Sequence, residues 1–354
     1  MTKSLAGRSG RTTLEEVARA ALVSRATVSR VVNGDPRVQG ATRSAVEAAI
    51  RDLGYVPNRA ARSLVTRRSD SVAVVIPEPA TQVFGDPFFP RLLRGISDAL
   101  STQELQLVLL MPQGRADEQR VERYLAAGHT DGVVLVSLHG MDPLPHNLRD
   151  RGIPVVVGGR PPGDGISYVD VDNRRGARAA VQHLLDSGRR QVATIAGPQD
   201  MPPGADRLAG YRETLTSGGL AVDERMIEVA DFTADGGRFA MDRLLAAEPR
   251  LDAVFVASDL MAIGALTSLR AAGRSVPDEV AVVGFDDSSL ATTAQPQLSS
   301  VRQPIEEMGR EMTRLLLDSI RDPGGSPRRT ILDTSLIVRT SSSGRGPGGD
   351  APVR

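Results

Sequence analysis

The sequence predicts an α/β protein in which a small helical head precedes a larger body of two doubly wound parallel sheets. Residues 13–33 hold two short helical periods joined by a tight turn. From Ser71 onward, continuous apolar runs alternate with amphipathic segments, and continuously apolar strands are typical of parallel sheets covered on both faces. Nine or more such units are too many for one sheet, so we expect two lobes, within the two or three domains that 354 residues allow.

The head is predicted to be a three-helix unit. Apolar residues fall on the inner faces of the first two helices: Val17, Ala18, Ala21, Val28, Val31 and Val32. Ser24 occupies the N-cap position of the second helix, where its hydroxyl can accept from an unpaired backbone N–H. Thr42 is expected to cap a third helix that Gly54 ends in a left-handed conformation.

The outer face of the second helix carries the residue types that a DNA major groove accommodates. It presents Arg25, Ala26, Thr27, Ser29, Arg30 and Asn33. Arginine pairs with guanine, hydroxyl groups bind phosphates, and a small side chain allows a base edge to approach. An ordinary helical hairpin with a solvated face is the alternative interpretation of this short pattern.

The charge distribution favours the first interpretation. The whole chain has a net charge of zero, but residues 1–68 hold 13 basic and 5 acidic residues, a net charge of +8. The remainder, with 30 basic and 38 acidic residues, has a net charge of −8. A basic head on an acidic body indicates that the head binds a polyanion.

The composition argues against several other classes of protein. The chain has no cysteine, which excludes disulfides and thiolate metal sites. It has four histidines (His129, His139, His146 and His183) and no GxSxG, HExxH or Walker-type sequence. We therefore expect neither enzymatic activity nor a cofactor or metal. No apolar run approaches the roughly 18 residues of a membrane span, and no secretory signal is visible, so we expect a cytoplasmic protein that does not bind membranes.

Several motifs together resemble the LacI/GalR family of bacterial transcription regulators. They are TLEEVA, VSRATVSRVVNG, TRSAVE, LGYVPNRAARSL, IAGP, RLAGY, ASDLMAIGAL and VVGFDD, and the similarity spans roughly residues 12–340. The resemblance implies a type I periplasmic-binding-protein fold for the body, used as a sensor. Segments such as GGRPPG and ISYVDVDN are most similar to actinobacterial regulators of cellobiose and cello-oligosaccharide use.

The resemblance divides the chain into five parts. We expect a disordered tail over residues 1–11, a helix-turn-helix DNA-binding domain over 12–56, a hinge helix and linker over 57–70, the sensor over 71–340 and a disordered tail over 341–354. The chain is expected to cross between the two sensor lobes near residues 170, 300 and 325.

The resemblance also assigns roles in DNA binding. It implies that bases are contacted by Arg25, Ala26 and Arg30, and that phosphates are contacted by Thr13, Ser24, Thr27, Ser29, Asn33 and Asn58. Leu64 matches a leucine that wedges into a minor-groove step, with Ala61 against the same groove; packing of Leu64 onto the sensor is the alternative. Leu22 departs from the family, which often has glycine in this turn, and a left-handed leucine costs about 1–2 kcal/mol.

The family's effector pocket carries over onto polar and aromatic residues, most of them at strand ends. These are Phe88, Arg207, Phe232, Ser258, Asp259, Asp286 and Gln303. Arginine and aspartate can share vicinal hydroxyl groups while an aromatic ring stacks on a sugar, which favours a neutral polyol. Many sugar-binding relatives have Asp where Gly159 stands here, and Arg160 and Glu78 are further candidate contacts. The alternatives are a helix N-cap for Asp259 and core packing for Phe88.

The sequence thus predicts a repressor of carbohydrate-utilisation genes. A homodimer would bind a near-palindromic operator on double-stranded DNA and would be released by a small sugar, with cellobiose or a cello-oligosaccharide as candidates. A non-sugar ligand or corepressor such as a nucleobase is the alternative. A sugar receptor without DNA binding and a nonspecific architectural DNA protein fit the basic head and the acidic sensor less well.

Overall fold

The structure is a computed structural model that describes residues 12–32, 34–55 and 68–343. It divides into two compact units, Met1–Ser69 and Asp70–Arg354. The first unit contains the head and the second contains the body.

The head consists of α1 (Leu14–Ala20), α2 (Arg25–Val32) and α3 (Gly40–Leu53). The apolar faces predicted from the sequence meet in one small core. Its buried members are Val17, Ala18, Val28, Val31, Val46, Ala49 and Tyr55, with Ala21 and Val32 packed at the edge. Short helices of this length are stable only through such packing.

Local capping sets the helix ends of the head. The Ser24 hydroxyl accepts from the Thr27 backbone N–H at 3.1 Å, as predicted. Leu22 adopts φ 53° in the turn and Gly54 ends α3 at φ 59°, both left-handed as expected. The prediction for Thr42 is wrong: the N-cap position lies three residues earlier, at Gln39, and α3 begins at Gly40. The Gln39 side chain makes no capping hydrogen bond.

The body contains ten further α-helices and twelve strands within its described residues 68–343. The helices are α4 (Ala80–Gly85), α5 (Phe88–Ser101), α6 (Arg115–Ala126), α7 (Leu144–Asp150), α8 (Asn173–Asp186), α9 (Pro202–Ser217), α10 (Ala234–Ala247), α11 (Asp259–Ala271), α12 (Ser289–Thr293) and α13 (Ile305–Arg321). The strands are β1 (Ser71–Val75), β2 (Gln106–Leu110), β3 (Gly132–Val136), β4 (Val155–Gly158), β5 (Ser167–Val171), β6 (Val192–Ala196), β7 (Ile227–Val229), β8 (Ala253–Val256), β9 (Ala281–Asp286), β10 (Ser299–Arg302), β11 (Arg329–Leu332) and β12 (Ser335–Ile337).

The strands form two six-stranded sheets, one in each lobe. The first sheet has the order β11-β5-β4-β3-β1-β2 and is parallel throughout. The second has the order β12-β10-β9-β8-β6-β7 and is parallel except for β12, which pairs antiparallel with β10. Each sheet is therefore mostly parallel, as the continuous apolar strands predicted.

Both faces of each sheet are buried. In β1, Val72 and Val74 belong to one apolar cluster, while Ala73 and Val75 belong to the cluster on the opposite face. In the second lobe, β8 contributes residues to two clusters in the same alternating way. This two-sided burial explains why the strands lack polar alternation.

The chain passes between the lobes three times. The first passage follows β5 at Asp172, and the second follows β10 before α13 returns to the first lobe, close to the predicted residues 170 and 300. The third lies between β11 and β12, at residues 333–334. The prediction of a passage near residue 325 is therefore wrong, because β11 still belongs to the first sheet.

The C-terminal end of the sensor extends beyond the predicted boundary at residue 340. Ser341 is fully buried, and its hydroxyl donates to the Val282 carbonyl at 2.6 Å and accepts from the Ser299 backbone N–H at 2.8 Å. The Ser342 hydroxyl is 2.7 Å from that of Ser299. These bonds fasten the segment to the second sheet, so the expected disordered tail does not begin at residue 341.

Candidate functional site

A cavity of about 380 Å³ opens in the body at the carboxyl ends of strands from both sheets. Its wall includes Val136 at the end of β3, Gly158 at the end of β4 and Asp286 at the end of β9. Ligands of open parallel sheets bind at this edge, because strand ends and helix starts converge there. We call this cavity the cleft.

Arg207, on α9, is the central cation of the cleft and is almost fully buried. Its Nε donates to Asn173 Oδ1 at 2.8 Å, and its Nη1 donates to the Ala257 carbonyl at 2.6 Å. The guanidinium carbon lies 3.7 Å from the centre of the Phe285 ring. Burial lowers the pKa of Arg207, an effect that Asp286 and the other nearby carboxylates oppose. These contacts hold the guanidinium in one position.

Asp286 provides the opposing carboxylate. Its Oδ1 lies 3.8 Å from Arg207 Nη1 and accepts a hydrogen bond from the Gln303 side-chain amide. Burial raises the pKa of Asp286 well above its usual value, while Arg207 acts in the opposite direction. The residue adopts φ 112°, a conformation that L-amino acids rarely occupy. The carboxylate is thus aimed into the cleft at some cost in backbone energy.

Aromatic side chains supply the apolar part of the wall. Phe232 has φ 63° and lies in the loop that follows β7. Its ring packs against Gly197, where an added Cβ would lie only 2.2 Å from a ring atom. Phe88 and Phe89, at the start of α5, form an edge-to-face pair with ring centres 5.3 Å apart. The rings offer apolar surfaces to a ligand beside the polar groups.

Three further acidic residues of the wall (Asp86, Asp170 and Asp200) and three amides (Gln82, Asn173 and Gln199) were missed in the sequence. Asp86 accepts from the Phe88 backbone N–H at 2.9 Å, and burial raises its pKa to about 6. Asp170 accepts from Asn173 Nδ2 at 3.0 Å, and burial also raises its pKa. Asp170 and Asn173 flank the end of β5, so the rule that polar residues collect at strand ends could have identified them.

Seven of the nine predicted effector residues line the cleft: Phe88, Arg160, Arg207, Phe232, Ser258, Asp286 and Gln303. Asp259 does not, because its two carboxylate oxygens accept from the Ser300 hydroxyl at 2.6 Å and the Ser288 backbone N–H at 2.7 Å. It is not the N-cap of α11 either; Ser258 holds that position and accepts from Met261 N at 3.2 Å. Glu78 is also buried behind the wall, paired with His139 at 3.0 Å.

Arg160 lies at the cleft beside Gly159, on the loop after β4. It donates to Asp206 on α9 at 2.6 Å, so it joins the first lobe to the second. Half of its side chain is exposed, and the residue lines the cleft. Arg160 is therefore placed to contact a ligand.

The described part of the head presents most of the predicted DNA-contacting residues. Ser24, Arg25, Ala26 and Arg30 are exposed on or next to α2, and Thr27 and Ser29 are half-buried. Arg25 pairs with Glu15 at 3.1 Å. Thr13 is the N-cap of α1 and forms a capping box with Glu16. The remaining predicted residues, Asn33, Asn58, Ala61 and Leu64, lie outside the described residues.

Over residues 12–32, 34–55 and 68–343, no cluster of three or more histidine, aspartate or glutamate side chains could hold a metal ion. In the same described ranges, every helix is too short or too polar to cross a membrane.

Comparison with known proteins identifies the two units. Residues 13–58 match the profile of bacterial regulatory proteins of the lacI family, and residues 181–342 match a periplasmic binding protein-like domain. The chain is 52% identical to the HTH-type transcriptional regulator CelR of Thermobifida fusca over 334 residues, which cover 94% of this chain and 98% of that regulator.

Solved structures agree with this assignment. A transcriptional regulator CelR–cellobiose complex is 50% identical and superimposes with a TM-score of 0.76, covering 94% of this chain and 100% of that chain. A lac repressor dimer bound to operator and the anti-inducer ONPF is 25% identical with a TM-score of 0.83, covering 94% and 99%. From the head, the two-lobed body and these similarities over nearly the whole length, the chain belongs to the lacI family of bacterial transcriptional regulators.

Proposed function

We propose that this regulator is a dimeric repressor that binds operator DNA through its heads and releases it when cellobiose, or a short cello-oligosaccharide, enters the cleft. The observation that carries the proposal is the cleft, because the chain is 50% identical in sequence to a regulator whose structure was determined in complex with cellobiose. In this proposal the cleft binds a ligand and catalyses no reaction. The protein acts in the cytoplasm, where the operator DNA lies.

The charges of the cleft favour a neutral polyhydroxyl ligand. Asp86, Asp170, Asp200 and Asp286 line it, whereas Arg160 is paired with Asp206, and Arg207 is the one buried cation among the described residues of the wall. An anionic ligand would face four carboxyl groups, whereas the hydroxyl groups of a sugar can donate hydrogen bonds to each of them. The volume of about 380 Å³ lies within the range of about 300–1,000 Å³ usual for small-molecule pockets.

The head supports DNA binding by its surface and charge. Arg30 and Ala26 are exposed on α2, and the basic residues of the first 68 positions would neutralise phosphates. Two heads related by a twofold axis would contact the two halves of a near-palindromic operator. Because the coupling between operator and sugar is reciprocal, each must weaken the other by the same factor, and a tenfold factor requires about 1.4 kcal/mol.

The test is a fluorescence-anisotropy titration of the full chain on DNA from upstream of its own gene, at fixed salt. The titration is carried out without ligand and with cellobiose, cellotriose, maltose, ribose, galactose or a nucleobase. We expect tight binding that cellobiose or cellotriose weakens at least tenfold and that the other sugars leave unchanged. Binding that no sugar alters, but that a nucleobase strengthens or weakens, would instead support the alternative of a non-sugar ligand.

Paired variants separate the two activities. Arg30→Ala should weaken operator binding strongly, whereas Arg123→Ala, an exposed arginine of the body, removes the same charge and should have little effect. Asp286→Asn should retain operator binding but lose release by sugar, and Asp278→Asn serves as its exposed control. Equal effects of Arg30→Ala and Arg123→Ala would contradict the assignment of the DNA-binding surface.

A further inference from the structure

A contact across the cleft joins the two lobes through His139. This residue follows β3 of the first lobe, and its Nδ1 lies 2.9 Å from the carboxylate of Asp200 in the loop between β6 and α9 of the second lobe. The neighbouring Gly140 N–H donates to the Asp200 carbonyl at 2.8 Å. Asp200 and Gly140 both line the cleft, so the contact lies at its edge.

The other side of the imidazole is fixed within the first lobe. His139 Nε2 lies 3.0 Å from Oε1 of Glu78, which also accepts from the Ser137 hydroxyl at 2.7 Å. The Glu78 side chain is only 8% exposed, and a buried carboxylate needs a positive or hydrogen-bonding partner. The two carboxylates raise the pKa of His139 to about 9, so the ring is a cation at neutral pH and binds both of them.

The two halves of this arrangement respond differently to lobe opening. Glu78 and His139 belong to the same lobe, so their bond persists when the lobes separate. The bonds from His139 and Gly140 to Asp200 must break, because Asp200 belongs to the second lobe. The contact therefore stabilises only the closed arrangement. The Arg160–Asp206 pair acts across the same cleft and gives a second, independent contact.

We propose that His139 and Asp200 form an inter-lobe latch that holds the cleft closed and so sets the affinity for the effector. His139 is a positioning residue in this scheme: Glu78 orients its ring, and the ring binds Asp200. A ligand that needs the closed arrangement binds more weakly when that arrangement is less populated. The nature of the ligand rests on the proposed function, whereas the closure of the lobes does not.

The latch can be tested without any ligand. The chain has no cysteine, so Gln119→Cys on α6 and Ala246→Cys on α10, both exposed and one in each lobe, can carry spin labels. Labelled chains are diluted into unlabelled protein and the inter-lobe distance is measured by pulsed electron paramagnetic resonance. We expect Asp200→Lys, which places an ammonium group opposite the His139 cation, to lengthen or broaden the distance distribution.

Two matched variants make this measurement specific. Asp278→Lys makes the same charge change on an exposed surface of the second lobe and should leave the distribution unchanged. Asp200→Glu keeps a carboxylate within reach of His139 and should also resemble the parent protein. A distribution that is the same for Asp200→Lys and the parent would overturn the latch.

Effector affinity provides the second measurement, by isothermal titration calorimetry with cellobiose. We expect Asp200→Asn and His139→Gln each to weaken binding roughly two- to fivefold, as for a single partly exposed ion pair, with Asp200→Glu close to the parent. The double variant should bind no more weakly than His139→Gln alone. Losses that multiply in the double variant would mean that Asp200 contacts the sugar directly, and would refute the latch as the cause. A parent protein that does not bind cellobiose would refute the proposed ligand and leave the distance measurement to decide the latch.

Discussion

Replacing Gly197 with alanine should impair effector binding much more than folding. An added Cβ would lie 2.2 Å and 2.5 Å from two atoms of the Phe232 ring, so the ring must move by about 1 Å or more. The ring is half-buried and lines the cleft, so we expect it to tilt into the cavity with little effect on the free protein. The effector must then push it back against Cβ, at the cost of about 1–3 kcal/mol that overpacking typically carries.

That cost corresponds to a loss of affinity of roughly five- to 150-fold. Calorimetry with cellobiose and urea denaturation of the same samples measure the two effects separately. Gly85→Ala, at a glycine with open space around its Cβ position, is the matched control and should bind normally. The reasoning is refuted if Gly197→Ala binds like the parent, or if its effect is just as large in a Phe232→Ala background, where no ring remains to be displaced.

Three further predictions concern charge and backbone strain. The pKa of His139 is raised from 6.5 to about 9, so the stability that its cation gives the folded protein is complete below pH 6.5 and is lost as the pH rises through 9. Because the side chain is 41% exposed, we expect His139→Gln to lower the free energy of unfolding by only about 1–2 kcal/mol at pH 6. Thermal unfolding should show this difference shrinking above pH 9. Burial raises the pKa of Asp86 from 3.8 to about 6, so the folded protein is most stable below pH 3.8, where the carboxyl group is protonated, and loses that stability as the pH rises through 6. Asp86→Asn removes the charge, and its side-chain oxygen can still accept from the Phe88 backbone N–H. Urea denaturation should find this variant more stable than the parent by up to about 2 kcal/mol at pH 7.5 and indistinguishable from it at pH 3.5. Leu22 has φ 53° and is 92% exposed, so Leu22→Gly should relieve backbone strain and stabilise the head by about 1 kcal/mol. A lower melting temperature for this variant would contradict the strain argument.

The architecture could be predicted because it depends on patterns that are local in the sequence. Helical periods of apolar residues indicate the helices, and continuous apolar runs such as β1 indicate strands that are buried on both faces. The cap of α2 at Ser24 and the left-handed turn at Leu22 also depend on neighbouring residues only. The start of α3 was mispredicted because Thr42, a residue type favoured at N-cap positions, lies inside the helix, whereas the actual N-cap, Gln39, makes no side-chain capping bond that would mark it in the sequence.

The site was harder to predict, because it depends on which strand ends face one another. Asp259 and Glu78 were assigned to the cleft by their positions after strands, but each is turned away and satisfied by partners distant in sequence: Ser300 for Asp259 and His139 for Glu78. No local pattern encodes those partners. Asp86, which does line the cleft, lies well beyond the end of β1, in a loop whose path follows from the packing of α4 and α5.

Backbone strain supplies an independent reason to regard the cleft as the functional site of the body. Seven non-glycine residues of the described chain have positive φ, and three of them, Ser137, Phe232 and Asp286, line the cleft. Each such conformation costs on the order of 1–3 kcal/mol and persists only where the surroundings impose it. Each of the three follows or ends a strand, at a backbone conformation that glycine adopts without strain. Folding alone would favour glycine at these positions, whereas a hydroxyl, a ring and a carboxylate held at three strand ends give a ligand the contacts that it needs. The strain therefore supports the proposal that these side chains serve ligand binding at the expense of stability.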